Sequence, residues 1–111
     1  MQMKVIDVLG AKYTIRVESA DKDPFLKDCD GYTDKTTRQI VVACAGPDNE
    51  LGAFSVYYKK VLRHEIIHAF LFESGLHESW KHEEGHDEAY VDWIAVQAPK
   101  LIRAFQEADA L

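Results

Sequence analysis

Two histidines and a glutamate stand in an apolar stretch near the middle of the chain, in the pattern His64-Glu65-x-x-His68. On a helix, residues four apart lie one above the other on the same face, so the two imidazoles could offer ring nitrogens to one metal ion. Glu65 is rotated by about 100° from His64, which places its carboxylate beside such an ion rather than on it. Two neutral nitrogen ligands, a nearby base and an open coordination position are what metal-assisted hydrolysis requires.

The neighbourhood of this pattern favours a functional interpretation. A pattern with three defined positions in five occurs by chance in many unrelated chains, so it does not establish a metal site alone. The chain, however, places all five of its histidines within a window of 23 residues. Three histidines lie outside the pattern, in or just after a polar connection: His77, His82 and His86. We interpret His77 and His82 as surface residues.

A catalytic metal needs a third protein ligand, and a second predicted helix offers one. Stepping back along the apolar face of this helix from Val91 and Ala95 reaches Glu88 and Asp92. Carboxylates on a face expected to be buried require partners. A metal would satisfy Glu88, and the second ring N–H of a metal-bound histidine would satisfy Asp92. The alternative is that both are ordinary first-turn acids, which the helix dipole favours.

Helical periodicity and end signals predict the elements that carry these residues. A buried helix over residues 55–74 begins at Ser55, a suitable N-cap, and ends before Gly75. A second helix covers residues 86–98, and Pro99 should end or kink it. A last helical stretch follows over residues 100–108.

The N-terminal half reads as β-structure. Residues 3–8 and 12–18 are rich in β-branched and aromatic side chains and flank a turn at 9–11. A third short strand is predicted at 31–34, and the most apolar strand, 39–44, should lie centrally or face the helix. The expected fold is therefore α+β, with a small antiparallel sheet packed on the His64–His68 helix and on the second, ligand-bearing helix.

Length and charge limit the remaining classes of protein. At 111 residues we expect a single domain over 1–111. A net charge of −6 and the lack of a basic run argue against a nucleic-acid partner. No apolar stretch approaches the roughly 20 residues of a membrane span, and no secretory signal is evident, so we expect a cytoplasmic protein. Cys29 and Cys44 are then expected to be free thiols, although a clip between neighbouring strands stays open.

The two motifs together resemble the signature of the gluzincin metallopeptidases, of which thermolysin is the familiar member. His64-Glu65-x-x-His68 is followed, with Glu88 twenty residues after His68, by Glu88-x-x-x-Asp92. The resemblance implies a minimal zincin-like fold in which His64, His68 and Glu88 bind Zn²⁺. It also implies that Glu65 is the general base for a zinc-bound water and that Asp92 orients a histidine ligand, His64. The gluzincin match covers only the two helices. The small size of the chain and its segments 61–70 and 90–95 also resemble short proteins encoded in phages and prophages of Gram-positive bacteria, and this resemblance covers most of the chain. The ImmA/IrrE-type peptidases are a related small group.

A second resemblance leaves the third ligand open. Gly85-His86 is similar to the Gly-His motif of the SprT-like proteases, which would make His86 the ligand instead of Glu88. The residues that usually follow that motif are absent, as is the basic DNA-binding region, and both differences favour Glu88.

The predicted activity is hydrolysis of a peptide bond in an intracellular protein or peptide of a bacterial host. Tyr90, His86 and His82 are the candidate donors to the developing oxyanion. The substrate should add as a strand at a sheet edge, which we expect within residues 32–44. The alternative function is a non-catalytic, zinc-stabilised protein-binding module of phage origin, which would have no use for Glu65. Substrate identity and oligomeric state are not specified by the sequence.

Overall fold

The computed structural model describes residues 3–44, 54–76 and 86–111, apart from the side chains of residues 54, 55, 86 and 87. The predicted loop at 45–52 and most of the connection at 76–85, with His77, Trp80 and His82, lie outside the described residues. The elements are β1 (Met3–Val8), β2 (Ala11–Glu18), a 3₁₀ helix (Pro24–Lys27), β3 (Gly31–Asp34), β4 (Gln39–Ala43), α1 (Phe54–Ser74) and α2 (His86–Glu107). The predicted α+β class is confirmed.

Strands β1 and β2 form the predicted hairpin, closed by a two-residue turn. Leu9 and Gly10 both have positive φ, at 53° and 92°, as the tight turn of a right-twisted hairpin requires. The backbone N–H of Gly10 donates to Asp7 Oδ1 at 2.9 Å, which supports the turn from the side.

The sheet has the strand order β1-β2-β4-β3, and it is mixed rather than antiparallel. Strand β3 pairs with β4 antiparallel, but β4 runs parallel to β2. The expectation of an antiparallel sheet was wrong for this pair because β4 follows β3 rather than β2 directly. The connection from β2 through the 3₁₀ helix and β3 is long enough to return the chain to the same end of the sheet. Strand β4 is central, as predicted, and β3 is an edge.

One sheet face packs on α1 and forms the core. Tyr13 and Ile15 of β2 and Ile40 and Val42 of β4 alternate toward this face, and each is at most 5% exposed. Helix α1 covers them with Val61 and Ala69, among others. Each of the buried isoleucine and valine side chains contributes about 1.5–3 kcal/mol to stability, so this layer holds α1 against the sheet.

Helix α1 ends at Ser74, and Gly75 adopts a φ of 81° as the residue after its last turn. Helix α2 packs on α1 through Val91 and Ala95, which are 2% and 0% exposed. No described helix is long and apolar enough to cross a membrane. Both cysteines, Cys29 and Cys44, are free thiols, as expected.

The prediction that Pro99 divides the second helix was wrong, because α2 continues through Pro99 to Glu107. Proline has no N–H to donate to the carbonyl four residues earlier, which is that of the buried Ala95. The guanidinium Nε of Arg63 on α1 donates to that carbonyl instead. The carbonyl is therefore satisfied, and the two helices are joined at the same point.

Candidate metal centre

The buried stripe of α1 contains a carboxylate. Val61, Glu65 and Ala69 recur at intervals of four, and all three are buried, with Glu65 only 7% exposed. His64 and His68 lie one step around the helix, where their side chains are 15% and 13% exposed and face α2. The helical spacing therefore directs the base to the sheet and the two imidazoles to the second helix.

The two imidazoles converge as the sequence predicts. Their Nε2 atoms lie 3.2 Å apart, with the ring centroids separated by 4.9 Å. Glu88 of α2 reaches both rings, with Oε2 at 3.5 Å from His64 Nε2 and Oε1 in contact with His68 Nε2. Ligand atoms of these three residues all lie within 4.8 Å of one another.

Two of the separations among these atoms suit ligands of one tetrahedral ion. Ligands at about 2.0–2.1 Å from a tetrahedral ion are separated from each other by roughly 3.3 Å. The two measured separations at His64 Nε2, 3.2 Å to His68 and 3.5 Å to Glu88, bracket that value. Two histidines and a glutamate also match the donor set of catalytic rather than structural zinc. Glu88 is 56% exposed, so the fourth position would open toward solvent.

Asp92 completes the surroundings of His64. Its Oδ1 lies 3.3 Å from His64 Nδ1, and in the tautomer with a proton on Nδ1 this ring nitrogen donates a hydrogen bond to the carboxylate. The lone pair of His64 then resides on Nε2, the atom that faces Glu88 and His68. The Nζ of Lys60, one turn earlier on α1, lies 3.6 Å from the same Asp92 oxygen and holds it from a second side.

His68 is oriented differently. Its Nδ1 is buried without a hydrogen-bond partner. The ring plane is instead held by Phe72, whose ring stacks at 22° with a centroid separation of 6.1 Å. Packing therefore fixes one imidazole and a carboxylate fixes the other.

Glu65 lies beside the cluster rather than in it. Thr33 on β3 places its hydroxyl 2.8 Å from Glu65 Oε1 and 2.9 Å from the Glu65 backbone oxygen. Burial raises the pKa of the Glu65 carboxyl, against the opposing effects of the Thr33 hydrogen bond and of the two histidines. A buried carboxylate with a raised pKa next to a candidate metal site has the character of a general acid–base group.

Close approach of β3 to α1 makes the Thr33 contact feasible. A Cβ added at Gly31 would lie 2.9 Å from the carbonyl oxygen of Val41 and 3.4 Å from Cγ of Glu65. Only glycine fits there without a shift of the backbone. Sequence reasoning missed Gly31, Thr33 and Lys60, because a glycine, a threonine and a lysine at these positions have no distinctive spacing.

A cavity of about 290 Å³ adjoins the cluster. Its described lining comes from the start of β3, from α1 and from α2: Cys29, Asp30, Gly31, Tyr57, Lys60, Val61, His64, Glu65, Glu88 and Asp92. Two of the lining residues contact each other, since the hydroxyl of Tyr57 donates a hydrogen bond to Asp30.

Of the predicted oxyanion donors, Tyr90 alone has a described side chain, and it does not line this cavity. Tyr90 is 61% exposed and belongs to a different face of α2 from Glu88 and Asp92. The side chain of His86, the alternative ligand, and the whole of His82 lie outside the described residues. In the described part of the chain, the residues that meet at this site are His64, His68 and Glu88, with Asp92 and Glu65 beside them.

The chain was also compared with known protein families, with curated proteins and with solved structures, and it matches none of them.

Proposed function

We propose that this protein is a zinc-dependent peptidase. The observation that carries the proposal is the position of Glu65, buried and held by Thr33 beside three ligands whose spacing suits Zn²⁺. A purely structural zinc site gains nothing from a buried carboxylate that is not a ligand, and burying one is costly. The resemblance to the gluzincin signature points to the same activity, and similarity to phage-encoded proteins points to substrates inside a bacterial cell.

His64, His68 and Glu88 would hold the ion, and Asp92 would keep His64 Nε2 unprotonated for binding. A bound Zn²⁺ would polarise a peptide carbonyl and lower the pKa of water to about 7. Glu65 accepts a proton from the attacking water and then delivers it to the nitrogen of the leaving amine, so that one peptide bond is exchanged for a carboxylate and an amine. Because the Thr33 hydroxyl contacts Oε1, we assign this proton transfer to the other oxygen, Glu65 Oε2.

The edge strand β3 supplies a place for the substrate backbone. The N–H of Ala43 donates to the carbonyl of Asp30 at 2.8 Å, which makes residues 30 and 43 a hydrogen-bonded pair of the antiparallel ladder. By alternation, the N–H and carbonyl of Thr33 are directed to the outer edge. A peptide that adds to this edge would lie beside the residue that holds Glu65.

The test is to measure zinc binding and hydrolysis separately. Protein purified without a tag is expected to contain about one Zn²⁺ per chain. Loss of a residue that only hydrogen-bonds a metal ligand weakens metal binding roughly 10–100-fold, and Glu88→Ala should weaken zinc binding by more than that. Glu65→Gln should bind zinc normally but lose cleavage of a peptide mixture prepared from digested bacterial lysate. Glu107→Gln, at the exposed end of α2, is the matched control.

A zinc-stabilised binding module is the second candidate. Two described residues that line the cavity and could donate to a substrate contact acids of the protein instead. Tyr57 contacts Asp30, and Lys60 contacts Asp92, and these contacts favour a non-catalytic site. Two results together would select this function. The wild type would bind zinc without detectable hydrolysis, and Glu88→Ala would unfold more easily than the wild type. If neither wild type nor Glu65→Gln binds zinc, both candidates fail.

A further inference from the structure

A second cavity, of about 530 Å³, lies at the outer edge of β3. Three aromatic rings line it, those of Phe25, Tyr32 and Phe72. Its volume falls within the range of about 300–1,000 Å³ typical of small-molecule sites, which are also lined mainly by apolar and aromatic side chains. We call it the aromatic cavity.

The aromatic cavity adjoins the metal centre at three points. Thr33 lines it and contacts Glu65. Phe72 lines it and stacks on His68. Cys29 lines both this cavity and the one at the metal cluster. An extended peptide paired with β3 would therefore place side chains in both cavities at once.

A buried polar network anchors the ring of Tyr32 and the backbone of Phe25. Asp23, only 7% exposed, accepts hydrogen bonds from the backbone N–H of Phe25 and from the hydroxyl of Tyr32. Arg16 lies 3.5 Å from the same carboxylate and compensates its charge. The metal centre makes no use of this network. The contacts of Asp23 join the start of the 3₁₀ helix to the edge strand β3.

The result is an aromatic ring held firmly in an exposed position. Phe25 is 75% exposed, yet its ring meets that of Tyr32 edge to face at 5.6 Å. A ring that stays exposed although its backbone is capped and anchored is suited to contact another molecule.

Charge distinguishes the two cavities. The described lining of the aromatic cavity includes one acid and one base, Asp34 and Lys35, whose charges cancel. The cavity at the metal cluster is lined by four carboxylates and a single lysine. An uncharged group is therefore best suited to the aromatic cavity.

We propose that the aromatic cavity is a specificity pocket that binds a large apolar side chain of the peptide substrate, such as Phe, Tyr, Leu or Met. This inference rests on the proposed peptidase function. Phe25 is a specificity-determining residue in it, because its ring is 75% exposed and its backbone is anchored by Asp23. The preferred substrates are peptides with such a side chain at one set position relative to the cleaved bond.

Binding can be tested without hydrolysis. N-acetyl-phenylalaninamide and N-acetyl-alaninamide are titrated into the ¹⁵N-labelled full chain, with and without zinc. The phenylalanine probe is expected to shift the amide signals of residues 25, 29 and 32–35, and the alanine probe is not. Phe25→Ser should lower the affinity for the phenylalanine probe at least fivefold. Phe70→Ser is the matched control, since Phe70 is 40% exposed on α1 and does not line the described cavity.

Cleavage is then mapped on a peptide library with zinc-loaded protein. Large apolar residues should be enriched at one position, and Phe25→Ser should lower kcat/KM for those peptides about tenfold, with peptides bearing alanine there unchanged. Selective binding of the phenylalanine probe without any cleavage supports the pocket and rejects the peptidase. Cleavage with no apolar preference, or equal shifts by both probes, overturns the pocket while the peptidase stands.

Discussion

The hydroxyl of Thr33 lies 2.8 Å from the carboxylate of Glu65 and 2.9 Å from its backbone oxygen. This contact joins the edge strand of the sheet to the helix that carries both histidines. The strand that would bind a substrate backbone is thus in direct contact with the residue proposed to move its protons.

Removing this hydroxyl should impair the proposed catalysis without removing the metal. Thr33→Val keeps the shape of the side chain but leaves the buried Glu65 without its donor, at a cost of about 1–3 kcal/mol in the free energy of unfolding. We expect kcat/KM to fall at least tenfold, with zinc affinity changed less than threefold. The free energy of unfolding is measured by urea denaturation, the zinc affinity by competition with a chelator, and kcat/KM by peptide cleavage. Thr14→Val on β2 is the matched control, and an equal loss of activity in both variants would argue against a specific role for Thr33.

The hydrogen bond from His64 to Asp92 predicts a loss of metal affinity when the carboxylate is removed. Asp92→Asn should weaken zinc binding about 10–100-fold, because it no longer favours the His64 tautomer with a free Nε2. The measurement is a zinc titration in competition with a chromophoric chelator. Asp21→Asn, at an exposed position, should leave the affinity unchanged. Wild-type affinity in Asp92→Asn would mean that packing alone orients His64.

The contact between Arg63 and the carbonyl of Ala95 explains how α2 tolerates Pro99, and it predicts a non-additive pair of mutations. Arg63→Met leaves a buried carbonyl without a donor and should destabilise the protein by about 1–3 kcal/mol. Pro99→Ala restores a backbone N–H that can donate to that carbonyl. The cost of Arg63→Met should therefore be smaller in the Pro99→Ala background. Equal costs in both backgrounds, measured by chemical denaturation, would show that Arg63 does not replace the missing N–H.

Tyr13 predicts a loss of stability in alkali. Its hydroxyl donates to Glu73 at 2.8 Å, and burial, followed by this hydrogen bond, raises the pKa of Tyr13 to about 12. A pKa raised on folding means that the stabilisation is complete below the unfolded value of about 10 and declines as the pH rises from about 10 to 12. Burial and a hydrogen bond to Asp23 raise the pKa of Tyr32 to about 12, and a hydrogen bond to Asp30 together with burial raises the pKa of Tyr57 to about 12. Both tyrosines therefore add to the decline.

Urea denaturation between pH 8 and 11.5 measures this effect. Tyr13→Phe is expected to be less stable than wild type at pH 8, because it lacks the hydrogen bond to Glu73, and to lose less stability above pH 10. Tyr90→Phe changes an exposed tyrosine and is the control. A Tyr13→Phe protein whose stability declines as steeply as that of wild type would exclude Tyr13 as a source of the alkaline loss.

The sequence by itself determined most of the elements and indicated the candidate metal ligands. Four strands and the buried helix follow from local alternation and helical periodicity, and the end of α1 follows from Gly75. The candidate histidine ligands could be predicted for the same reason, since a separation of four residues on one helix places His64 and His68 together whatever surrounds them. Glu88 and Asp92 were accessible because carboxylates on an apolar helix face require partners.

Only the tertiary structure decided what depends on contacts between distant parts of the chain. The parallel pairing of β2 with β4 depends on the path of a 20-residue connection, and the continuity of α2 depends on an arginine 36 positions before Pro99. The support of Glu65 by Thr33 comes from a strand 32 residues away that approaches closely because position 31 is glycine. The aromatic cavity likewise combines residues 25–35 with Phe72. Local patterns carry no information about such pairs, because each is selected by packing between elements rather than by the spacing of residues within one.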